Sequence, residues 1–387
     1  MKTIKDVLLD GFWIMPSTPA FVEGGEIPYI TSKNIKVGKI DFSNVQYISR
    51  EDFKTISKNR PIKINDLLIS MIGTLGNVAI VKETDGDFYG QNMYLLRLNP
   101  EVINLDYFYH FFNSDVVKRY IEGKKNKSTQ GYLKANHIEE IIIPVPNLEK
   151  QKEISLRFKA INALIDNRKE QLEKLDQLVK SRFIELFGDP VTNEKNWARL
   201  TLGDICEIGS SKRVFEKDYV PKGVPFFRTK EIVELSKGNP ISTELFITEE
   251  HFEELRKIYG APKKDDLLIS AVGTIGTIWI VSGDFEFYFK DGNLIQIKSS
   301  PNFNSIFMKY LLDELITNYK KEMSTGTAYS ALTIAGLKKM LVYDVPLFLQ
   351  EQFASFVEQT DKSKLAVQQS LEKLETLKKS LMQKYFG

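Results

Sequence analysis

Asp66 to Val81, DLLISMIGTLGNVAIV, is written again as Asp266 to Val281, DLLISAVGTIGTIWIV, with ten of sixteen positions identical. Unrelated stretches of that length would share about one position. A second pair, Leu172 to Gly188 (LEKLDQLVKSRFIELFG) and Leu371 to Gly387 (LEKLETLKKSLMQKYFG), agrees at nine of seventeen. Fainter echoes keep a similar offset: Ile27-Pro28-Tyr29 with Val224-Pro225-Phe226, Asn92 with Asn293, and Leu148-x-x-Gln151 with Leu349-x-x-Gln352. A period near 200 residues is that of a duplicated domain, well above the roughly 20 to 50 residues of solenoid repeats.

Each copy has two parts. The first alternates β-rich runs, such as Leu67 to Ile72 and Val78 to Val81, with turn signals at Gly73, Gly76 and Asp85-Gly86, and includes the helical stretch Leu105 to Ile121. That mixture predicts an α+β globule. The second part follows Pro144-Val-Pro146 and contains neither Gly nor Pro from Asn147 through Phe187. Read at alternating spacings of four and three, Ile154, Phe158, Ile161, Ile165, Arg168, Leu172, Leu175, Val179, Arg182 and Leu186 form a stripe in which eight of ten are apolar. The matching stripe is Phe353, Val357, Thr360, Lys364, Val367, Leu371, Leu374, Lys378, Leu381 and Tyr385, with seven of ten apolar. Both are coiled-coil seams. The first helix leaves one globule and reaches the other, so a second helix packing along it must run back. The expected architecture is therefore α+β, with duplicated mixed α/β domains over 1–146 and 189–346, helices over 147–188 and 347–387, antiparallel coiled-coil pairing and approximate two-fold symmetry.

Composition restricts the chemistry. The 387 residues carry a formal net charge of +2, a pI near 8.2 and ordinary apolar and charged content, 42% and 27%. A single cysteine, Cys206, rules out an internal disulfide, and no apolar run approaches the roughly 20 residues of a membrane span. We expect neither a signal peptide nor a membrane span, and a cytoplasmic protein. The three histidines, His110, His137 and His251, are scattered, so no zinc set of ordinary spacing is present. The sequence has no Gly-x-x-x-x-Gly-Lys-[Ser/Thr] loop. It also lacks the [Asp/Asn]-Pro-Pro-aromatic turn with which an adenine methyltransferase grips its base, Asp189-Pro190-Val191 being the nearest approach. The expectation is a chain without catalytic residues, metal or cofactor of its own.

Two like globules on a rod fit paired DNA reading, in which modules sit at a fixed helical spacing. The polar stretches that differ most between the copies supply the candidate contacts. In the first copy these are Lys33 and Asn34, then Lys124, Lys125, Lys127, Ser128, Thr129, Gln130, Tyr132 and Lys134 of GKKNKSTQGYLK. In the second they are Arg228 and Lys230, then Lys320, Lys321, Ser324, Thr325, Tyr329 and Ser330 of KKEMSTGTAYSALT. Lysines neutralise phosphates, while hydroxyl and amide groups bond phosphates or base edges. Each also has an ordinary reading as a solvated loop. Gly73-Thr-Leu-Gly76 and Gly273-Thr-Ile-Gly276 read as tight hairpins and not as nucleotide cradles, because no helix start or Lys-Ser follows them. Asn92 and Asn293 read as turn caps. Two other functions remain open on this evidence: a self-contained methylating or cleaving enzyme, and a coiled-coil adaptor without DNA.

The ordered set of features resembles the specificity subunit of Type I restriction-modification systems. It is carried by Asp66-Leu-Leu-Ile-Ser70 with Gly73-Thr-x-Gly76 and its copy from Asp266, by Ile143-Pro-Val-Pro-x-Leu-x-x-Gln151, and by Leu186-Phe187-Gly188-Asp189-Pro190. The second helix start, Asp344-Val-Pro-Leu-Phe-Leu349, departs from the pattern by lacking the first proline. The resemblance implies a bipartite duplex DNA target with one domain per half. It further implies partnership with two modification subunits that use S-adenosylmethionine to methylate adenine, and with restriction subunits.

Overall fold

A computed structural model describes residues 1–124, 132–241, 243–283, 285–324 and 332–387. Contacts divide the chain into a first unit, Met1–Glu170 with Gln368–Gly387, and a second, Gln171–Val367.

In the first unit a four-stranded antiparallel sheet has the order Leu8–Ile14, Met93–Leu98, Leu67–Ser70, Val78–Ile80. A three-stranded sheet lies in the order Gln46–Ile48, Ile27–Thr31, Tyr89–Gln91, its last pair parallel. Leu67–Ser70 is buried at every position, which explains its uninterrupted apolar run. Leu67 and Ile69 enter one core with Phe108, Phe111 and Phe158, while Leu68 enters another with Tyr29 and Tyr89.

The second unit repeats this arrangement. Its sheet order is Ile208–Gly209, Leu294–Ile297, Leu267–Ser270, Ile278–Ile280, beside a sheet of Phe246–Ile247, Val224–Phe227 and Tyr288–Phe289. The echo of Ile27-Pro28-Tyr29 in Val224-Pro225-Phe226 is thus one strand in one place, paired antiparallel on one side and parallel on the other.

The helices run Leu148–Phe187 and Leu347–Phe386, 40 residues each. A buried glutamine locks each start to its own unit. Gln151 Oε1 accepts from Asn104 N at 2.8 Å, and its Nε2 donates to Pro146 O at 2.8 Å and Val102 O at 3.1 Å. Gln350 does the same, accepting from Asn304 N and donating to Val345 O, both at 2.8 Å. This corrects the pairing of Leu148-x-x-Gln151 with Leu349-x-x-Gln352. Its true counterpart is Leu347-x-x-Gln350, at the same offset as the helix ends, and Gln352 is exposed.

Within the first unit the helical segments pack antiparallel: Arg157 Nη1 donates to Tyr385 OH at 3.3 Å and Arg168 Nε to Ser370 Oγ at 3.2 Å. Phe158 stacks on Phe386 with centroids 5.7 Å apart, and Phe386 meets Tyr107 and Phe111 edge-on. His110 lies buried against Phe158, and burial draws its pKa down to about 4, leaving the ring neutral near pH 7. Within the second unit the order also runs antiparallel, with the Arg182 guanidinium over Phe356 and Lys364 bridged to Asp176 at 2.7 Å. Phe183 and Phe187 pack there with Phe307 and Phe353.

The seam is unevenly buried: Ile154, Phe158, Ile161, Ile165, Val179, Phe353, Val357 and Leu371 are buried, whereas Leu172, Leu175, Val367, Leu374 and Leu381 are half-buried. Phe183, Phe187 and Phe386 lie off the four-three stripe. They nevertheless belong to the cores, because that face of the helix meets the globule.

Candidate nucleic-acid interface

The duplicated stretch is a β-hairpin, with Leu67 opposite Ile80 in one copy and Leu267 opposite Ile280 in the other. Its bend is held from inside by a serine. Ser70 Oγ accepts from Asn77 N at 2.9 Å and donates to Thr74 O; Ser270 Oγ accepts from Thr277 N at 2.9 Å and donates to Thr274 O. Gly73 and Gly76 adopt φ of +79° and +77°, and Gly273 and Gly276 +78° and +83°, a region costly for any residue bearing a Cβ. At Gly76 and Gly276 a Cβ would also strike Ile121 and Ile316, at 2.7 and 2.6 Å.

Around the first hairpin the fold gathers segments distant in sequence. Ser32 Oγ accepts from Met71 N at 3.1 Å and donates to Asn92 O, Leu133 N donates to Met71 O at 3.2 Å, and Ile72 bridges to Tyr132. Lys33, Tyr132 and Lys134 are exposed at this edge. Lys124 is half-buried, its ammonium over the Tyr120 ring. Lys125, Lys127, Ser128, Thr129 and Gln130 lie outside the described residues.

Asn34 is engaged within the fold. Its Oδ1 accepts from Thr31 N at 2.9 Å and Thr31 Oγ1 at 3.2 Å, while its Nδ2 donates to Asp41 O and Asn44 O. Arg228 and Glu231 fill the same place in the second unit: Arg228 N donates to Glu231 Oε2 at 2.8 Å, and its Nη2 to Oε1 at 3.0 Å. Burial alone would raise the Glu231 carboxyl, but the hydrogen bonds from Arg228 hold it below its ordinary value. Asn34 and Glu231 are therefore equivalent capping residues, and Arg228 is committed to one of them.

Elsewhere at the second edge, Leu332 N donates to Ala271 O at 3.3 Å, matching Leu133 and Met71. Lys230 and Lys321 are exposed, and the Lys320 ammonium donates to Ile275 O of the hairpin at 2.9 Å. Ser324 closes the helix Ser305–Ser324; its side chain, with Thr325, Tyr329 and Ser330, lies outside the description. Asn92 takes the left-handed φ of +62° beside its strand, whereas in the second copy the left-handed residue is Gly292, one place before Asn293. Among the described residues no group of three or more His, Cys, Asp or Glu side chains could hold a metal ion, and no helix is long and apolar enough to cross a membrane.

Two copies of one α+β module, each presenting a polar edge beside the same hairpin, define a duplicated recognition protein. The chain belongs to the family of Type I restriction modification DNA specificity domains, whose pattern matches residues 1–177 and again 194–377. The MjaIX specificity subunit of the type I restriction enzyme of Methanocaldococcus jannaschii is 24% identical over 390 residues, spanning 92% of this chain and 85% of that protein. Two solved structures, each 18% identical, share the fold. The S subunit of a type I restriction-modification system from M. genitalium has a TM-score of 0.58, covering 100% of this chain and 95% of that one. A chain from a study of complex assembly and conformational transition in the type I system has a TM-score of 0.61, covering 99% and 96%. The chain is thus a specificity subunit with two DNA-recognition domains, non-catalytic as that class is.

Proposed function

We propose that each module reads one half of a split duplex target and that the helix pair sets the unread spacing between the halves. The observation that carries this reading is the repetition of one edge in both units, with its frame kept and its polar loops changed. Identical frames with different loops are what two unlike half-sites require. A helix of 40 residues is about 60 Å long, enough to act as a ruler over several base pairs. The contacts lie in Lys33, Lys124, Lys125, Lys127, Ser128, Thr129, Gln130, Tyr132 and Lys134 on one side. On the other they lie in Lys230, Lys320, Lys321, Ser324, Thr325, Tyr329 and Ser330. Asn34 and Arg228 support the fold and are left out of this set.

The outward helix faces expose Leu156, Leu164, Leu178, Leu365 and Leu377, between 45% and 65% accessible. Exposed leucines on otherwise polar helices fit docking of partner proteins. We assign these faces to two modification subunits, which bring S-adenosylmethionine and methylate adenine in the cytoplasm; restriction subunits complete the assembly. Exchanging residues 1–146 for the corresponding module of a relative tests the division of labour. Mapping modified adenines should find one half of the target replaced and the other unchanged, whereas an exchange that alters both halves or neither contradicts it.

A further inference from the structure

The fold accounts for nearly every identity within the repeated hairpin. Asp66 is buried and paired with Arg97, Asp266 is buried and bonded to Gln296, the leucines and isoleucine fill the cores, Ser70 and Ser270 brace the bend, and the glycines take left-handed φ. Thr74 and Thr274 are left over. Both are exposed, and neither hydroxyl has a hydrogen-bond partner among the described residues. The main-chain N–H groups of Thr74 and Leu75, and of Thr274 and Ile275, are likewise without an acceptor among the described residues. Successive N–H groups of that kind at a bend containing left-handed residues form an anion-binding concavity. In the second copy a cation stands beside it, the Lys320 ammonium donating to Ile275 O at 2.9 Å.

We propose that the two Gly-Thr-x-Gly tips are phosphate anchors, each gripping a phosphodiester of the DNA backbone through main-chain N–H groups and the threonine hydroxyl. This rests on the DNA-reading role proposed above and deepens it. A phosphodiester suits donors that are the same in both modules, since backbone contacts fix register and carry no sequence information. A base contact would have to differ between unlike half-sites, as the neighbouring Ile72 and Val272, Leu75 and Ile275, and Asn77 and Thr277 do.

The test uses the full chain purified with its methyltransferase subunits and two duplexes of equal length, one carrying the adenine-methylated site mapped in cells and one scrambled. Thr74→Glu with Thr274→Glu sets a carboxylate against each phosphate and should weaken both duplexes by about tenfold or more, leaving their ratio unchanged. Thr74→Lys with Thr274→Lys should tighten both and steepen the dependence of log affinity on log salt by about 0.9 per tip. Equal affinity for the scrambled duplex in wild type and both variants, with melting unchanged, overturns the anchor alone. So does a loss confined to the methylated-site duplex, which would make these residues base readers. A wild-type complex that binds both duplexes equally removes the sequence-reading role, and the anchor with it.

Discussion

Deletion of one heptad from each long helix, residues 168–174 together with 366–372, is expected to abolish modification of the natural target. The cut is chosen to spare the fold. It sets Leu175 three residues after Ile165 and Leu374 three after Lys364, preserving the four-three stripe, and it removes Arg168 and Ser370 together with the hydrogen bond between them. Each helix loses about 10 Å, close to three base pairs. Three base pairs also turn the duplex by roughly 100°, at about 10.5 base pairs per turn, so the second half-site is displaced in angle as well as in distance. Modified sites that survive should have a spacer about three base pairs shorter. Modification of the original site at its original spacing would show that something other than helix length sets the distance.

Phe158→Ala should be the most destabilising single substitution in the first unit. The ring is fully buried and touches His110, Tyr385 and Phe386 at centroid distances of 5.0, 6.3 and 5.7 Å. Its loss leaves a cavity where both helices meet the globule, at a cost of about 3–5 kcal/mol. For a unit of this size each kcal/mol lowers Tm by about 2–4 °C, so calorimetry should find a transition lowered by roughly 6 °C or more. Leu164→Ala on the exposed face supplies the comparison and should move Tm by less than about 2 °C. Equal shifts for the two variants would mean that the helix is not seated on the globule through Phe158.

The hairpin was legible in the sequence because a duplicated stretch with strand periodicity and paired glycines has few alternative folds. The helices were equally plain, from more than thirty residues without Gly or Pro and a regular apolar stripe. What escaped was local. Leu349-x-x-Gln352 and Leu347-x-x-Gln350 fit the same short pattern; the offset shared with Leu172 and Leu371, and the hydrogen bond to Asn304 N, tell them apart. Phe183, Phe187 and Phe386 were missed because the stripe tracks the helix–helix face, whereas these rings point into the globules. The hydrogen bonds that engage Asn34 and Arg228 in their own turns were not legible, because a polar turn that caps a helix has the same composition as one that reads a groove. Neither Thr31 to Asn34 nor Arg228 to Glu231 has the Ser/Thr and Glu/Gln pair of a capping box, so the pattern gave no warning. Thr74 and Thr274 stood out only once the packing had explained their neighbours.

Base-resolution mapping of methylated adenines in DNA from cells that produce this chain with its methyltransferase subunits tests the central proposal most directly. Two short defined blocks, always separated by the same number of unspecified base pairs, are the predicted result. A single continuous site, or two blocks at variable separation, would contradict a reader built from two modules on a fixed ruler.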